Sequence, residues 1–90
     1  MQNRSFNPGD IVRHFKFETL TKEEIADNMY LYKIIGIAEH SESKEKLMVY
    51  QALYKKDYIC ARPLDMFMSE VDHDKYPDIK QKYRFELYRQ

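Results

Sequence analysis

Two apolar runs constrain this chain more than anything else in it: Tyr30-Leu31-Tyr32-Lys33-Ile34-Ile35-Gly36-Ile37-Ala38 and Leu47-Met48-Val49-Tyr50-Gln51-Ala52-Leu53-Tyr54. Both are rich in β-branched and aromatic residues, which suit a pleated surface. Both carry apolar side chains at odd and even positions, the pattern of a strand in the middle of a sheet with both faces covered. The polar stretch His40-Ser41-Glu42-Ser43-Lys44-Glu45 lies between them, so the two strands are expected to pair as a hairpin. Gly36, inside the first run, predicts a bulge or a sharp bend.

The flanking segments also read mostly as strands. Pro8-Gly9 is a turn signal, with proline presetting φ at one corner and glycine supplying positive φ at the next. Residues 10–16 follow as a first strand, carried by Ile11, Val12 and Phe15. Thr21-Lys22-Glu23-Glu24 then fits a capping box, in which the threonine hydroxyl and the Glu24 carboxylate satisfy each other's backbone amides. With Ile25, Ala26 and Met29 at helical spacing, residues 21–29 read as one short helix inserted between strands. Beyond the turn Lys55-Lys56-Asp57, residues 58–62 form a fourth strand, stopped by Pro63. Residues 64–68 fit either a helical turn or a strand, and residues 72–78 are a polar loop. Residues 82–88 alternate strictly, with Tyr83, Phe85 and Leu87 on one side, as in a half-exposed final strand.

These elements make one domain spanning residues 1–90. A chain of 90 residues buries roughly 60–65% of its unfolded surface, enough for one core without disulfides or metal. Short strands separated by turns predict a mainly β fold: a small SH3-like antiparallel barrel, curled on itself, with one short helix. An open antiparallel α+β sheet with the helix on one face is the alternative.

Charge bounds the partners. Lys+Arg and Asp+Glu both number 15, so the formal net charge is zero. A duplex-binding protein needs a basic footprint to release counterions, so nucleic acid is a disfavoured partner. A neutral small protein lacks the self-repulsion that keeps copies apart, which leaves a homodimer open. The single cysteine, Cys60, has no internal disulfide partner and fits a reducing cytoplasm. No apolar run is long enough to span a membrane, and Met1-Gln2-Asn3-Arg4 leads into no signal-peptide core. The expected protein is therefore cytoplasmic and free of membrane.

Several segments in order carry a family resemblance. They are Arg13-His14-Phe15-Lys16, then Tyr32-Lys33-Ile34-Ile35-Gly36-Ile37-Ala38 leading into His40-Ser41-Glu42. Val49-Tyr50-Gln51-Ala52-Leu53-Tyr54, Arg62-Pro63-Leu64 with Met66-Phe67, and Tyr83-Arg84-Phe85 complete the set. The chain resembles a small bacterial family known as domain of unknown function 1653, over most of its length after residue 8. The resemblance implies a single small, largely β domain and no particular activity. Two departures stand out: residues 17–29 intervene where many relatives join the first two strands tightly, and Cys60 stands where many carry tryptophan.

Candidate functional residues follow from residue type and placement. Arg13, Arg62 and Arg84 each lie in or beside a strand among apolar residues. There a guanidinium either snorkels to solvent or offers its rigid fork to a carboxylate or phosphate. The residues expected to bind a ligand are Arg13, His14, His40, Ser41, Glu42, Tyr50, Tyr54 and Arg62, with the tyrosines as aromatic walls; the alternative is that Arg62 pairs with Glu42 or Asp65 and only fixes a loop. His40-Ser41-Glu42 has the composition of a catalytic triad, but neighbours on an extended chain point to alternate sides and do not share a proton. His14, His40 and His73 make no close pair, and Cys60 has no cysteine partner, so neither a metal nor another cofactor is expected. Lys80, Lys82, Arg84 and Arg89, interleaved with Tyr83, Phe85 and Tyr88, offer a single-strand nucleic-acid surface, although plain strand alternation accounts for them equally.

The expected function is a binding module for a small polar or anionic ligand, with a nucleotide or nucleic acid among the options. An accessory protein–protein interaction domain is the alternative. An enzyme, a hydrolase or transferase using His14 or His40 as base, ranks third, because no nucleophile elbow, metal set or phosphate loop is visible.

Overall fold

The structure, a computed structural model, describes residues 4–89. Residues 1–3, part of the N-terminal reading, and residue 90 lie outside the described part. Five strands form one antiparallel sheet in the order β4-β3-β2-β1-β5. They are β1 (Ile11–His14), β2 (Leu31–Glu39), β3 (Lys46–Ala52), β4 (Ile59–Pro63) and β5 (Phe85–Leu87). A 3-10 helix (Phe15–Thr19) and α1 (Lys22–Ala26) join β1 to β2, and α2 (Leu64–Phe67) follows β4 without a break.

Local chemistry explains most boundaries. The Asp10 N–H donates to the Asn7 carbonyl at 3.0 Å across the Pro8-Gly9 turn, and Gly9 takes φ +94°, as the turn signal requires. Strand β1 ends earlier than expected because the His14 Nδ1 accepts the Lys16 N–H at 3.1 Å. The imidazole thereby caps the 3-10 helix and turns Phe15 and Lys16 out of the ladder. Thr21 and Glu24 form both halves of the capping box. The helix stops at Ala26 rather than running to residue 29, and Asn28 and Tyr30 adopt positive φ. The β2–β3 register shifts between Ile34 and Gly36, so the bulge lies where Gly36 predicts it. A Cβ at Gly36 would touch nothing within 4 Å; the position carries the bulge without a steric need for glycine.

The core lies on one sheet face. Val12, Tyr32, Ile34, Met48, Tyr50 and Ala52 pack there with Phe6, Phe67 and Phe85. Phe67 and Phe85 stack with centroids 4.0 Å apart and planes 7° from parallel. The other face is only partly covered. Ile35 is 43% exposed and Leu53 39%, which corrects the expectation that the apolar runs are covered on both sides.

The barrel expectation is also corrected: the sheet is open. Closure would require β4 to pair with β5, and they occupy opposite ends of the strand order. The chain leaving β4 turns at Pro63 into α2, which packs back on β3 and β4. Phe67 thus fills the apolar face that a closed barrel would fill with opposing strands. Strand β5 spans only three residues instead of residues 82–88. Its upstream amides are diverted, since the Glu86 Oε2 accepts both the Lys82 and Tyr83 N–H groups, at 3.1 and 3.0 Å.

Between α2 and β5 the chain forms an arm. Val71 N–H donates to the Lys82 carbonyl and Arg84 N–H to the Ser69 carbonyl, at 2.9 and 3.0 Å, with the polar loop at residues 72–78 beyond them. The arm is tied to the start of the chain by two groups. The Glu18 carboxylate accepts the Lys80 and Gln81 N–H groups at 2.9 and 2.7 Å. The buried Gln81 amide donates to the Arg13 and Tyr83 carbonyls and accepts from the Arg13 Nε. Beneath the arm, Phe15, Val71 and Ile79 with Tyr76 make a second, smaller core.

Candidate functional site

Strand geometry divides the sequence-predicted site residues. Arg13 and His14 are adjacent in β1 and therefore point to opposite faces. The Arg13 Nε donates to the Gln81 Oε1 at 2.9 Å, and its guanidinium lies 5.2 Å from the Phe17 ring centre. It is part of the tie that holds the arm. His40 sits beyond the end of β2, a nine-residue strand whose other end adjoins His14. At about 3.3 Å per residue the separation is roughly 30 Å. There the His40 Nδ1 accepts the Glu42 and Ser43 N–H groups, both at 3.2 Å, and closes the hairpin loop. Ser41 and Glu42 are exposed on the same loop.

The other four come together on the core face. Tyr32 packs edge-on against Tyr50 and Tyr54 and shares a 2.9 Å hydroxyl–hydroxyl hydrogen bond with Tyr54. Burial, then that hydrogen bond, drives the Tyr32 phenol far above its ordinary pKa. Burial also raises Tyr50, against the opposing pull of the neighbouring Arg62. The Arg62 guanidinium lies 6.0 Å from the Phe85 ring centre. His14 meets Phe85 edge-on at 5.1 Å and stacks between Phe15, at 4.4 Å, and Tyr30, at 5.4 Å. It therefore bridges the main core and the smaller one. Tyr30 holds its ring there from a backbone with φ +62°, a conformation that costs a bulky residue on the order of 1 kcal/mol.

At this seam opens a cavity of about 260 Å³, lined by His14, Phe15, Lys16, Asp72, Lys75, Tyr76 and Arg84. Its walls come from the 3-10 helix, the arm loop and the entry to β5. Lys16 and Lys75 place their ammonium groups 5.8 and 5.5 Å from the Tyr76 ring centre. Among the described residues the one side-chain ion pair is Lys46–Glu39, at 3.6 Å, on the distant hairpin. The cations of the cavity therefore have no carboxylate within ion-pair distance. The Asp72 Oδ1 accepts the Asp74 and Lys75 N–H groups and serves the turn. The Arg84 Nε is buried and makes no hydrogen bond; a buried donor in that state costs about 1–3 kcal/mol.

This environment sets the state of His14. Burial first, then the charges of Lys16, Arg62 and Arg84, lower its pKa from 6.5 to about 4. Protonation would also break the Nδ1 bond to Lys16. The neutral ring carries its hydrogen on Nε2, so it offers a donor, and its free lone pair is already spent. In this state the Nδ1 lone pair is taken by the Lys16 N–H and Nε2–H is a donor.

Lys16, Lys75, Tyr76 and Tyr30 escaped the sequence-derived set of site residues. Arg84 was named with Arg13 and Arg62 as a strand arginine but also stood outside that set, and Lys16 lies in the segment that carries the family resemblance. Lys75 and Tyr76 belong to a loop with no periodic signal. A larger cleft of about 560 Å³ beside Arg4, Tyr83 and Glu86 is already occupied by its own bonds. There Arg4 donates to the Met68 and Phe85 carbonyls and stacks 3.6 Å over Tyr83. No group of three histidine, cysteine or acidic side chains among the described residues could hold a metal ion. No described helix is long and apolar enough to cross a membrane.

No curated protein and no solved structure matches the chain. A family model matches residues 10–87, the whole sheet and the whole cavity, and by that match the chain belongs to the family described as Protein of unknown function (DUF1653).

Proposed function

We propose that this domain is a binding module for a small anionic ligand, held at the seam between the two cores. Lys16, Lys75 and Arg84 supply the charge, and His14 supplies a neutral donor. Arg62, Tyr50 and Tyr54 back the site from the core. The observation that carries the reading is that Lys16, Lys75 and Arg84 line one cavity, all three outside any ion pair. An anion there would relieve repulsion among the three cations and accept charge-assisted hydrogen bonds from them. Cys60 as a free thiol fits a reducing cytoplasmic setting for such a module.

Isothermal titration with inorganic phosphate, sulfate and citrate at low salt tests the proposal. Saturable heat with the wild type, weakened at least tenfold in Arg84→Gln, is the expected result. Heats at the level of dilution for all three anions would remove it.

A second reading has its own observation. Leu53, Ile35 and Ile59 are 39%, 43% and 59% exposed on a sheet with open edges, which favours an accessory interaction surface or a homodimer. Sedimentation velocity across a hundredfold concentration range separates the readings. A sedimentation coefficient that rises with concentration favours association, and a constant one leaves the anion module alone.

A further inference from the structure

The cavity's charge and donor count narrow the ligand class, on the premise that the anion-binding reading above is correct. We infer that it takes the terminal phosphate of a small phosphate monoester, in preference to a carboxylate or an internal phosphodiester. Three cationic side chains, Lys16, Lys75 and Arg84, face a single carboxylate, Asp72. The formal surplus is two positive charges. A phosphate monoester carries about −1.5 to −2 at neutral pH, whereas a carboxylate or a phosphodiester carries only one charge. A single negative charge leaves one cation of the set unbalanced in a partly desolvated place.

The donors point the same way. Around the cavity stand the Arg84 guanidinium, two ammonium groups and the His14 imidazole. The one acidic side chain has an oxygen already bonded to two backbone amides. A carboxylate presents two oxygens to these donors. A monoester presents three terminal oxygens, distributed over a tetrahedron, to groups arriving from three separate segments of chain. Size sets the other bound. A space of about 260 Å³ falls just below the usual range of roughly 300–1,000 Å³ for ligand pockets. It holds a phosphate and a small attached group, and the Phe15 and Tyr76 rings, inclined at 58°, provide an aromatic wall for the carbon portion.

The experiment compares phenyl phosphate, methyl phenyl phosphate and benzoate by titration into ¹⁵N-labelled protein, followed by amide shifts. Phenyl phosphate is expected to bind at least tenfold more tightly than either monoanion and to shift the Lys16, Lys75 and Arg84 amides. Lys75→Gln, on an exposed turn where the fold is not at risk, is expected to erase most of that preference. Equal binding of all three compounds, or an unchanged preference in Lys75→Gln, overturns the monoester assignment and leaves an anion site standing. Absence of any shift with all three overturns both the assignment and the anion-binding reading beneath it.

Discussion

Replacing His14 with phenylalanine isolates the electrostatics of the seam. The substitution keeps a flat ring between Phe15 and Tyr30 and removes the only titrating group at that position. In the folded chain the imidazole stays neutral down to about pH 4, against 6.5 when unfolded. Between those values the unfolded chain binds a proton that the folded chain refuses. Stability therefore rises with pH across the window, is complete above pH 6.5, and is lost as the pH falls toward 4. Linkage puts the loss from this one group at about 2 kcal/mol at pH 5 and about 3 kcal/mol at pH 4. Against a domain stability of about 5–15 kcal/mol that is a large share. Urea denaturation of wild type and His14→Phe at half-unit steps from pH 4 to 8 measures it. Every other group is common to both proteins and cancels in the difference. The wild type should lose about 3 kcal/mol more than the variant by pH 4, with most of the divergence below pH 6. A difference that stays flat with pH, or a His14 ring resonance titrating near 6.5, would refute the account of a buried imidazole ringed by cations.

Other perturbations test the frame around the site. Phe67→Ala empties the centre of the main core, where Phe67 is fully buried against Phe85; it should cost about 3–5 kcal/mol in urea denaturation. Thr21→Ala removes the hydroxyl half of the capping box on α1, the acceptor of the Glu24 N–H, and should cost about 1 kcal/mol, with Thr21→Ser restoring it. Lys44→Gly should raise stability by up to about 1 kcal/mol, because Lys44 holds φ +66° in an exposed loop; a lowered melting temperature would count against the strain argument.

The strands were legible because Ile34, Met48 and Tyr50 sit in runs whose residue types leave little choice but a sheet. Their second face was not. Apolar residues at both parities say what each face contains, and whether a further layer covers Ile35 and Leu53 depends on chain elsewhere. Barrel or open sheet was equally non-local, since it turns on whether β4 reaches β5, and α2 with Phe67 prevents that. The short β5 reflects a competition that residue alternation does not encode, with the Glu86 carboxylate capturing amides that a ladder would have used.

Less of the site was legible: of the eight residues chosen for it, only His14 lines the cavity. His14, Tyr50, Tyr54 and Arg62 were chosen by type and strand position, and the fold gathers them. Arg13 was chosen by the same rule, yet period-two geometry sends it to the opposite face from His14. The length of β2 carries His40 away. Lys16 and Lys75 lie in a 3-10 helix and a turn, where side-chain direction follows no simple period. Their approach to Arg84 is a product of the Gln81 and Glu18 ties.

Those ties have a kinetic and thermodynamic corollary. Residues 13–18 and 80–84 meet across more than sixty positions of chain, so the seam is assembled by closing one of the widest loops the domain contains. Such closures carry an entropic charge that only the completed sheet repays. No excised peptide would reproduce the seam. Whatever lodges in it clamps both halves of that loop at once, so its occupancy should register in the amide exchange of the slowest, globally opening core positions and not only in nearby loops.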